Sequence, residues 1–395
     1  MSEQHKKNEK NFLIQGSILA IAGVITKLIG AFYRIPLLNI IGTEGNGYYS
    51  VAFSIYSVAL MLTSYSLPLA VSKLVSARVA VGEYKNANKI FRGAMTFALL
   101  AGGIVSLLVF FGADFIATTI MHLDMSAYAL RVLAPCILIV ALLGVLRGFF
   151  QGMGTMIPSA VSQIIEQIVN AVVSVGAAYV LFAYGKRIAT VLGSKEHYDA
   201  AYGAAGGTLG TSAGAFFGLV FILFVFSMFM PKYKKAMKRE RKIGHKEPES
   251  YLNIFRILIG TIVPVLLSTT IYNLVSIVDQ WLFKNIATMQ GYSATNVSEW
   301  WGIFSGKYRV LTNVPISIST ALAASCVPAL AAAFAQKDDA QVRSKIGMSM
   351  RFIMVVAMPC TAGIMVLADP IIQLLFPGSS ALAGHLLQAG GIRVI

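Results

Sequence analysis

Charge is scarce in this chain, and negative charge scarcest: 17 Asp and Glu stand against 32 Lys and Arg, and charged residues make up 12% in all. Soluble domains carry roughly 25%, so a water-exposed globular surface is excluded. Cysteine is nearly missing. Cys136, Cys326 and Cys360 are odd in number, scattered and set in apolar runs, which excludes a disulfide framework and a cysteine metal site. His5, His122, His197, His245 and His385 form no H-E-x-x-H or other ligand spacing, and no GxxxxGK[ST] loop is present; metal-protease and P-loop nucleotide chemistry are thereby excluded. Long loops between apolar runs are also lacking, which leaves little room for the acid/base constellation that a membrane-embedded glycan-processing enzyme needs.

What is abundant is apolar length. Hydrophobic residues reach 56% and the mean hydropathy is +0.71, which defines an all-α polytopic integral membrane protein. A spanning helix needs about 20 apolar residues. Nine stretches qualify, at 12–40, 49–77, 93–120, 127–150, 156–184, 203–230, 253–283, 304–334 and 348–376, and a tenth begins near the end. The net charge of +15 concentrates between these runs, so it reads as topology and not as nucleic-acid binding. By alternation, nineteen cations fall on the side of Lys6, Lys7 and Lys10, against Lys186, Arg187, Lys195 and Lys284 on the other. This positive-inside asymmetry predicts a multi-pass cell-membrane protein with a cytoplasmic N-terminus. The opening MSEQHKKNEK is followed by a run too long for a signal-peptide core.

The basic segment Pro231–Ser250 divides six spans from the rest. The predicted organisation is an N-terminal lobe at 1–230, a basic cytoplasmic loop at 231–252 and a second, incomplete lobe at 253–395. The loop reads as a solvated topology determinant, with anionic headgroups as its alternative ligand. Ala113-Asp114-Phe115-Ile116 and Ala368-Asp369-Pro370-Ile371 end the third and ninth spans in register. That faint repeat predicts six-helix lobes in parallel orientation around a central cavity. Small residues every third or fourth position in AYGAAGGTLGTSAGAFFG predict close helix packing, and Trp300-Trp301 suits an interfacial aromatic belt.

Polar residues inside the spans carry the chemistry. Gly23, Lys27, Gly30 and Arg34 share one face of the first span, at i, i+4, i+7 and i+11. A cation at membrane depth costs at least about 2.5–3.5 kcal/mol and usually faces a bundle interior or wet cavity; the alternative is that these two snorkel to an interface. Arg309, Asn313, Ser317 and Thr320 make a second cationic stripe on the eighth span, whereas Lys307, off that face, is expected to snorkel. Ser159, Ser162, Gln163, Glu166, Asn170 and Ser174 line one face of the fifth span. Glu166 there would pair with a first-span cation, bind a coupling cation or belong to a helix–helix seam. Tyr272, Asn273, Ser276, Asp279 and Gln280 form a similar stripe, with Asp279 near its hydrated outer end. Pro68, Pro315 and Pro328 permit kinks.

The run TKLIGAFYRIPLLNIIGTEGNGYYSVAFSIYSVALMLTSYSLPLAVSKLVSARVAVGEYKNANKIFRGAM resembles the opening of the multidrug/oligosaccharidyl-lipid/polysaccharide (MOP) exporter superfamily. Within it, the chain is similar to the polysaccharide-biosynthesis and stage V sporulation protein B group, related to lipid II flippases. Such proteins have about fourteen spans, so a chain stopping at Ile395 is expected to be truncated. The resemblance implies a transporter, not an enzyme. It would flip an undecaprenyl-pyrophosphate-linked saccharide outward by alternating access, using a cationic cavity for the pyrophosphate. By position, Lys27 and Arg34 with Arg309 and neighbouring Asn313 would bind substrate. The flippase pattern of Ser-Arg then Arg-Asp reads here as Thr26-Lys27 and Arg34-Ile35. Glu166 and Asp279 are the ion-coupling or structural candidates. No cofactor or metal is expected, the drive coming from a monovalent cation or the membrane potential. The expected partners are the lipid-linked saccharide and the bilayer, with a monomeric protein. A cation-coupled multidrug antiporter of the same superfamily is the alternative, and would rest on the carboxylates.

Overall fold

The computed structural model describes residues 3–121, 123–192, 197–243, 250–292, 294–316, 319 and 339–394, and all regular structure among them is helical. Six helical segments in these residues are long and apolar enough to cross a membrane: Ile21–Val79, Tyr84–Phe111, Ser126–Gly152, Ile157–Leu192, Tyr198–Arg239 and Val342–Val366. The first holds two of the predicted spans. The seventh predicted span falls on a longer helix described below, and the eighth runs on past residue 319 into 320–334, outside the described residues along with Ser317, Thr320 and Pro328.

Helix α1 (Glu3–Thr63) carries the first span and most of the second without a loop, bending only where Gly42 takes φ 70. That left-handed conformation is open to glycine because it has no Cβ to clash. The chain turns again through Ser64–Ser66 and resumes as α2 (Leu67–Ala80), with Pro68 in its first turn, where the missing N–H costs nothing. Then come α3 (Tyr84–Phe111), α4 (Ala113–Phe115) with a π turn Ile116–Ile120, α5 (Ser126–Gly152), α6 (Ile157–Leu192) and α7 (Tyr198–Ile243).

Glycines set how closely these helices approach. On α5, Gly148 and Gly152 lie against α2: a Cβ on Gly148 would sit 2.6 Å from Pro68 O, and one on Gly152 2.7 Å from Val75 Cβ. On α7, a Cβ on Gly206 would sit 2.5 Å from Ala177 O of α6. The small-residue spacing thus works as the close-packing device that the sequence predicts.

The second half comprises α8 (Tyr251–Met289), α9 (Ala294–Gly302), a π turn Ile303–Tyr308 and α10 (residues 309–316). It continues with α11 (Asp339–Val366), α12 (Ala368–Leu375), α13 (Ala381–Gly390) and a closing 3-10 turn, Gly391–Val394. One apolar core joins α1, α5 and α7 to this half through Leu37, Ile41, Tyr49, Ile303, Ile372 and Leu387. A second gathers α2, α3, α5 and α7, with Ile262 of α8 against it.

Both halves of the suspected repeat begin a short helix after a break. Ala113 and Ala368 are buried at these starts, and Asp114 and Asp369 stand exposed in their first turns. The expected loop after residue 230 takes another form: α7 passes through Pro231 and stays helical to Ile243. Tyr233, two residues on, packs into the second core and anchors this part of the helix to it.

Candidate functional site

Of the four glycines and cations on the α1 face, Gly30 packs on α6, where a Cβ would meet Gln167 Nε2 at 3.1 Å, while Gly23 has open space around it. Lys27 is exposed and Arg34 half-buried. The Arg34 guanidinium sits 5.5 Å from the ring centroid of Tyr49, within the range of a cation–π contact. Its Nε is buried with no hydrogen-bond partner among the described residues. An unpaired buried donor is costly, so this nitrogen is the polar group at the site most in need of an acceptor.

Behind Arg34 a buried polar chain crosses the N-terminal bundle. Asn170 Nδ2 donates to Tyr33 Oη at 3.2 Å, and Ser174 Oγ lies 2.8 Å from both Asn170 Oδ1 and Gly207 O. The fifth-span stripe is therefore partly a helix–helix seam. Lower on the stripe, Glu166 meets Arg147 of α5: Arg147 Nη2 donates to Glu166 Oε2 at 2.7 Å and Arg147 Nε to Ser162 Oγ at 2.9 Å. Glu166 is thus paired with α5 and not with a cation of α1. Arg147, one of the nineteen cations that alternation puts between the spans on the cytoplasmic side, is in a helix with its side chain 13% exposed. Its place beside Gly144 and Gly148, on a helix packed from both sides, was the available signal.

On α10, Arg309 is half-buried with its guanidinium 5.9 Å from the Phe304 ring centroid, and Asn313 is exposed. Lys307, expected to snorkel, instead donates from Nζ to Ser379 Oγ at 2.8 Å and lies 5.9 Å from the Phe376 ring centroid. The π turn that carries it packs on α13 and swings the ammonium toward the α12–α13 connection. Asp279 is exposed on α8; the side chains of Tyr272, Asn273, Ser276 and Gln280 lie outside the described residues.

The structure brings α1 and α10 to the lining of one cavity of about 370 Å³. Ala31, Phe32 and Ile35 line it from α1, and Val310, Leu311, Val314 and Pro315 from α10, with α11 to α13 closing the rest. Lys27, Arg34, Arg309 and Asn313 are not among its lining residues. They occupy the adjacent faces of the same two helices, about 40–160° round on α1 from its lining residues at 100° per residue. The expected cationic character thus flanks an apolar chamber.

A bundle of membrane-length helices, one of them kinked at a glycine, with cations inside the apolar segments, defines a multi-pass membrane protein. The profile of the polysaccharide biosynthesis protein family matches residues 13–334, and a second profile of that description matches 294–380. The chain belongs to this family, within the MOP exporter superfamily. Stage V sporulation protein B of Bacillus subtilis (strain 168) is 28% identical over 378 residues, 94% of this chain and 68% of that protein. Lipid II flippase MurJ of the same organism is 24% identical over 368 residues, 91% of this chain and 65% of the flippase. This chain therefore spans about two thirds of the length of either relative. Among solved structures, an outward-facing multidrug resistance MATE family transporter of the MOP superfamily matches with a TM-score of 0.64 at 16% identity, over 97% of this chain and 78% of the other. A MOP superfamily transporter from Pyrococcus furiosus, described as having a binding pocket of reversed polarity, matches with a TM-score of 0.63 at 16% identity, over 98% and 79%.

Proposed function

We propose that the protein is a flippase of the bacterial plasma membrane. It moves an undecaprenyl-pyrophosphate-linked saccharide from the cytoplasmic to the outer leaflet by alternating access. The observation that carries this reading is Arg34, a permanent cation within the first membrane-length segment, set against Tyr49 with a buried Nε left for an acceptor. Moving a pyrophosphate through about 30 Å of hydrocarbon requires continuous charge compensation; Lys27 and Arg34, beside the chamber on α1, and Arg309, beside it on α10, supply it, and Asn313 adds hydrogen-bond donors. An arginine can grip phosphate through a fork of two N–H groups, whereas Lys27 serves as a point charge. The prenyl chain stays in the bilayer while the headgroup crosses.

A six-helix lobe at 1–230 and the part of a second lobe at 253–395, related in parallel, rock about the end where α1 bends. With the N-terminus cytoplasmic, that end is the outer one. An inside-negative potential, worth about 2.3 kcal/mol per charge per 100 mV, favours outward movement of the anion, or inward movement of a coupled cation bound at a carboxylate such as Asp279. The antiporter alternative leans on acidic residues, and Glu166 already has Arg147 as its counter-ion.

Reconstitution of the full chain in liposomes, with labelled lipid II, other undecaprenyl-pyrophosphate saccharides and a cationic drug assayed side by side, tests this. Flipping of a lipid-linked saccharide that the Lys27→Ala, Arg34→Ala, Arg309→Ala variant abolishes is the expected result. Full activity in that triple variant, or transport of the drug alone, overturns it.

A further inference from the structure

The basic end of α7 is built differently from a solvated topology determinant. With 46 residues at about 1.5 Å each, α7 is roughly 69 Å long, far more than the 30 Å or so of a hydrocarbon core. The excess carries Lys232, Lys234, Lys235, Lys238 and Arg239, all exposed. Between them Tyr233 is 2% exposed. Its Oη donates to Tyr84 O at 2.8 Å, and its ring meets Tyr84, Phe149 and Phe229 at 6.1, 5.4 and 5.9 Å between centroids. The cations therefore stand at fixed height and fixed rotation on a pinned helix.

Their direction identifies what they face. Phe217, Phe224 and Met228 are 51%, 61% and 66% exposed, and at 100° per residue Lys235 and Arg239 fall within about 60° of that stripe. The apolar part of the stripe faces acyl chains. Lys232, Lys235 and Arg239 follow Met228 by about 6, 10 and 17 Å along the axis: the first two fall at the depth of a headgroup layer about 5–7 Å thick and its edge, and the third stands in solution above it, about one Debye length from the charged surface. A soluble acidic partner would be met by cations turned away from lipid; these continue the lipid-facing side.

We propose that the α7 extension, through Lys232, Lys235 and Arg239, is a docking surface for anionic phospholipid headgroups of the adjoining leaflet, held in register by Tyr233. Because α7 is the last helix before the connection to α8, headgroup binding there tethers the joint between the two halves of the protein to one leaflet. The inference is independent of what the protein transports.

The test uses the full chain reconstituted in phosphatidylcholine doped with spin-labelled phosphatidylglycerol or phosphatidylcholine, with the motionally restricted fraction read by electron paramagnetic resonance. The wild type is expected to retain phosphatidylglycerol selectively. Lys232→Gln, Lys235→Gln, Arg239→Gln together should lower the association constant of that site about 100-fold, from roughly tenfold or less per cation. All three positions are exposed, and an unchanged unfolding temperature in pure phosphatidylcholine checks that the fold is intact. Tyr233→Phe, which keeps every charge, should weaken selectivity less. Added inorganic pyrophosphate should leave the restricted fraction unchanged. Selectivity that survives the triple substitution, or that inorganic pyrophosphate or a soluble polyanion displaces at physiological salt, overturns the proposal.

Discussion

Asn46 and Gly306 interlock where the first half of the chain meets the second: a Cβ on Gly306 would fall 2.5 Å from Asn46 Nδ2. Asn46 lies just past the Gly42 bend, is buried, and has an Oδ1 without a hydrogen-bond partner among the described residues. Gly302, one turn before Gly306, leaves the same room beside Asn46 and Thr43. Nearby, Asn39 Nδ2 reaches Leu375 O at 3.4 Å. This end of the bundle is therefore shut by a side chain seated in a glycine groove.

Gly306→Ala should pry that end apart. Spin labels at the exposed Glu44 and Ser380 are expected to report a longer distance population in the variant than in the parent, and Asn46→Ala in the same background should restore the short one. An unchanged distance distribution in Gly306→Ala would sink the idea of a latch.

Arg147 and Glu166 should behave as a unit. Removing one partner of a partly buried pair leaves the other charge uncompensated, so Arg147→Met alone is expected to lower stability by about 1–3 kcal/mol. Arg147→Met with Glu166→Met should recover most of it. Thermal unfolding in detergent, run as a double-mutant cycle, gives the coupling, and additive losses would show that the two side chains act separately.

Glycines of identical chemistry should respond in opposite directions. A Cβ on Gly148 would collide with the Pro68 backbone, whereas Gly176 has nothing within 4 Å of such a position. Gly148→Ala is expected to cost about 1–3 kcal/mol through overpacking, and Gly176→Ala to gain about 0.5–1 kcal/mol from helix propensity. Unfolding temperatures of the two variants check both signs.

Tyr49 should matter to ligand binding through Arg34. Tyr49→Phe keeps the ring under the guanidinium, while Tyr49→Leu removes it. Given about 0.5–2 kcal/mol for such contacts, the leucine variant is expected to bind a lipid-linked pyrophosphate several-fold more weakly and the phenylalanine variant nearly as well as the parent. Equal affinities in a binding titration would detach Tyr49 from the site.

Much of the helical layout was legible because apolar length and small-residue spacing are local signals. The packing of α6 on α7 follows from the glycine pattern around Gly206, and the charged face of α1 from the spacing of Lys27 and Arg34. Partnerships between distant segments were not legible. Arg147 reads as one more cytoplasmic-side cation until α6 places Glu166 beside it, and Lys307 reads as a snorkelling lysine until the α12–α13 connection presents Ser379. The stretch after Pro231 reads as a loop because it is highly charged and follows a proline, yet Lys, Arg, Ala, Met and Glu are good helix formers, and Tyr233 anchors its first turn through a hydrogen bond to Tyr84 O from far along the chain.

The Gly42 bend has a practical corollary. Surface connections ordinarily absorb inserted residues, but α1 passes from its first arm to its second with one positive-φ glycine and no slack. One extra residue there would rotate everything downstream by about 100° and advance it by 1.5 Å or so, carrying Asn46 off its groove. A tag or insertion library scanned across the chain should find this hairpin, which by hydropathy looks like an ordinary turn, among its least permissive positions.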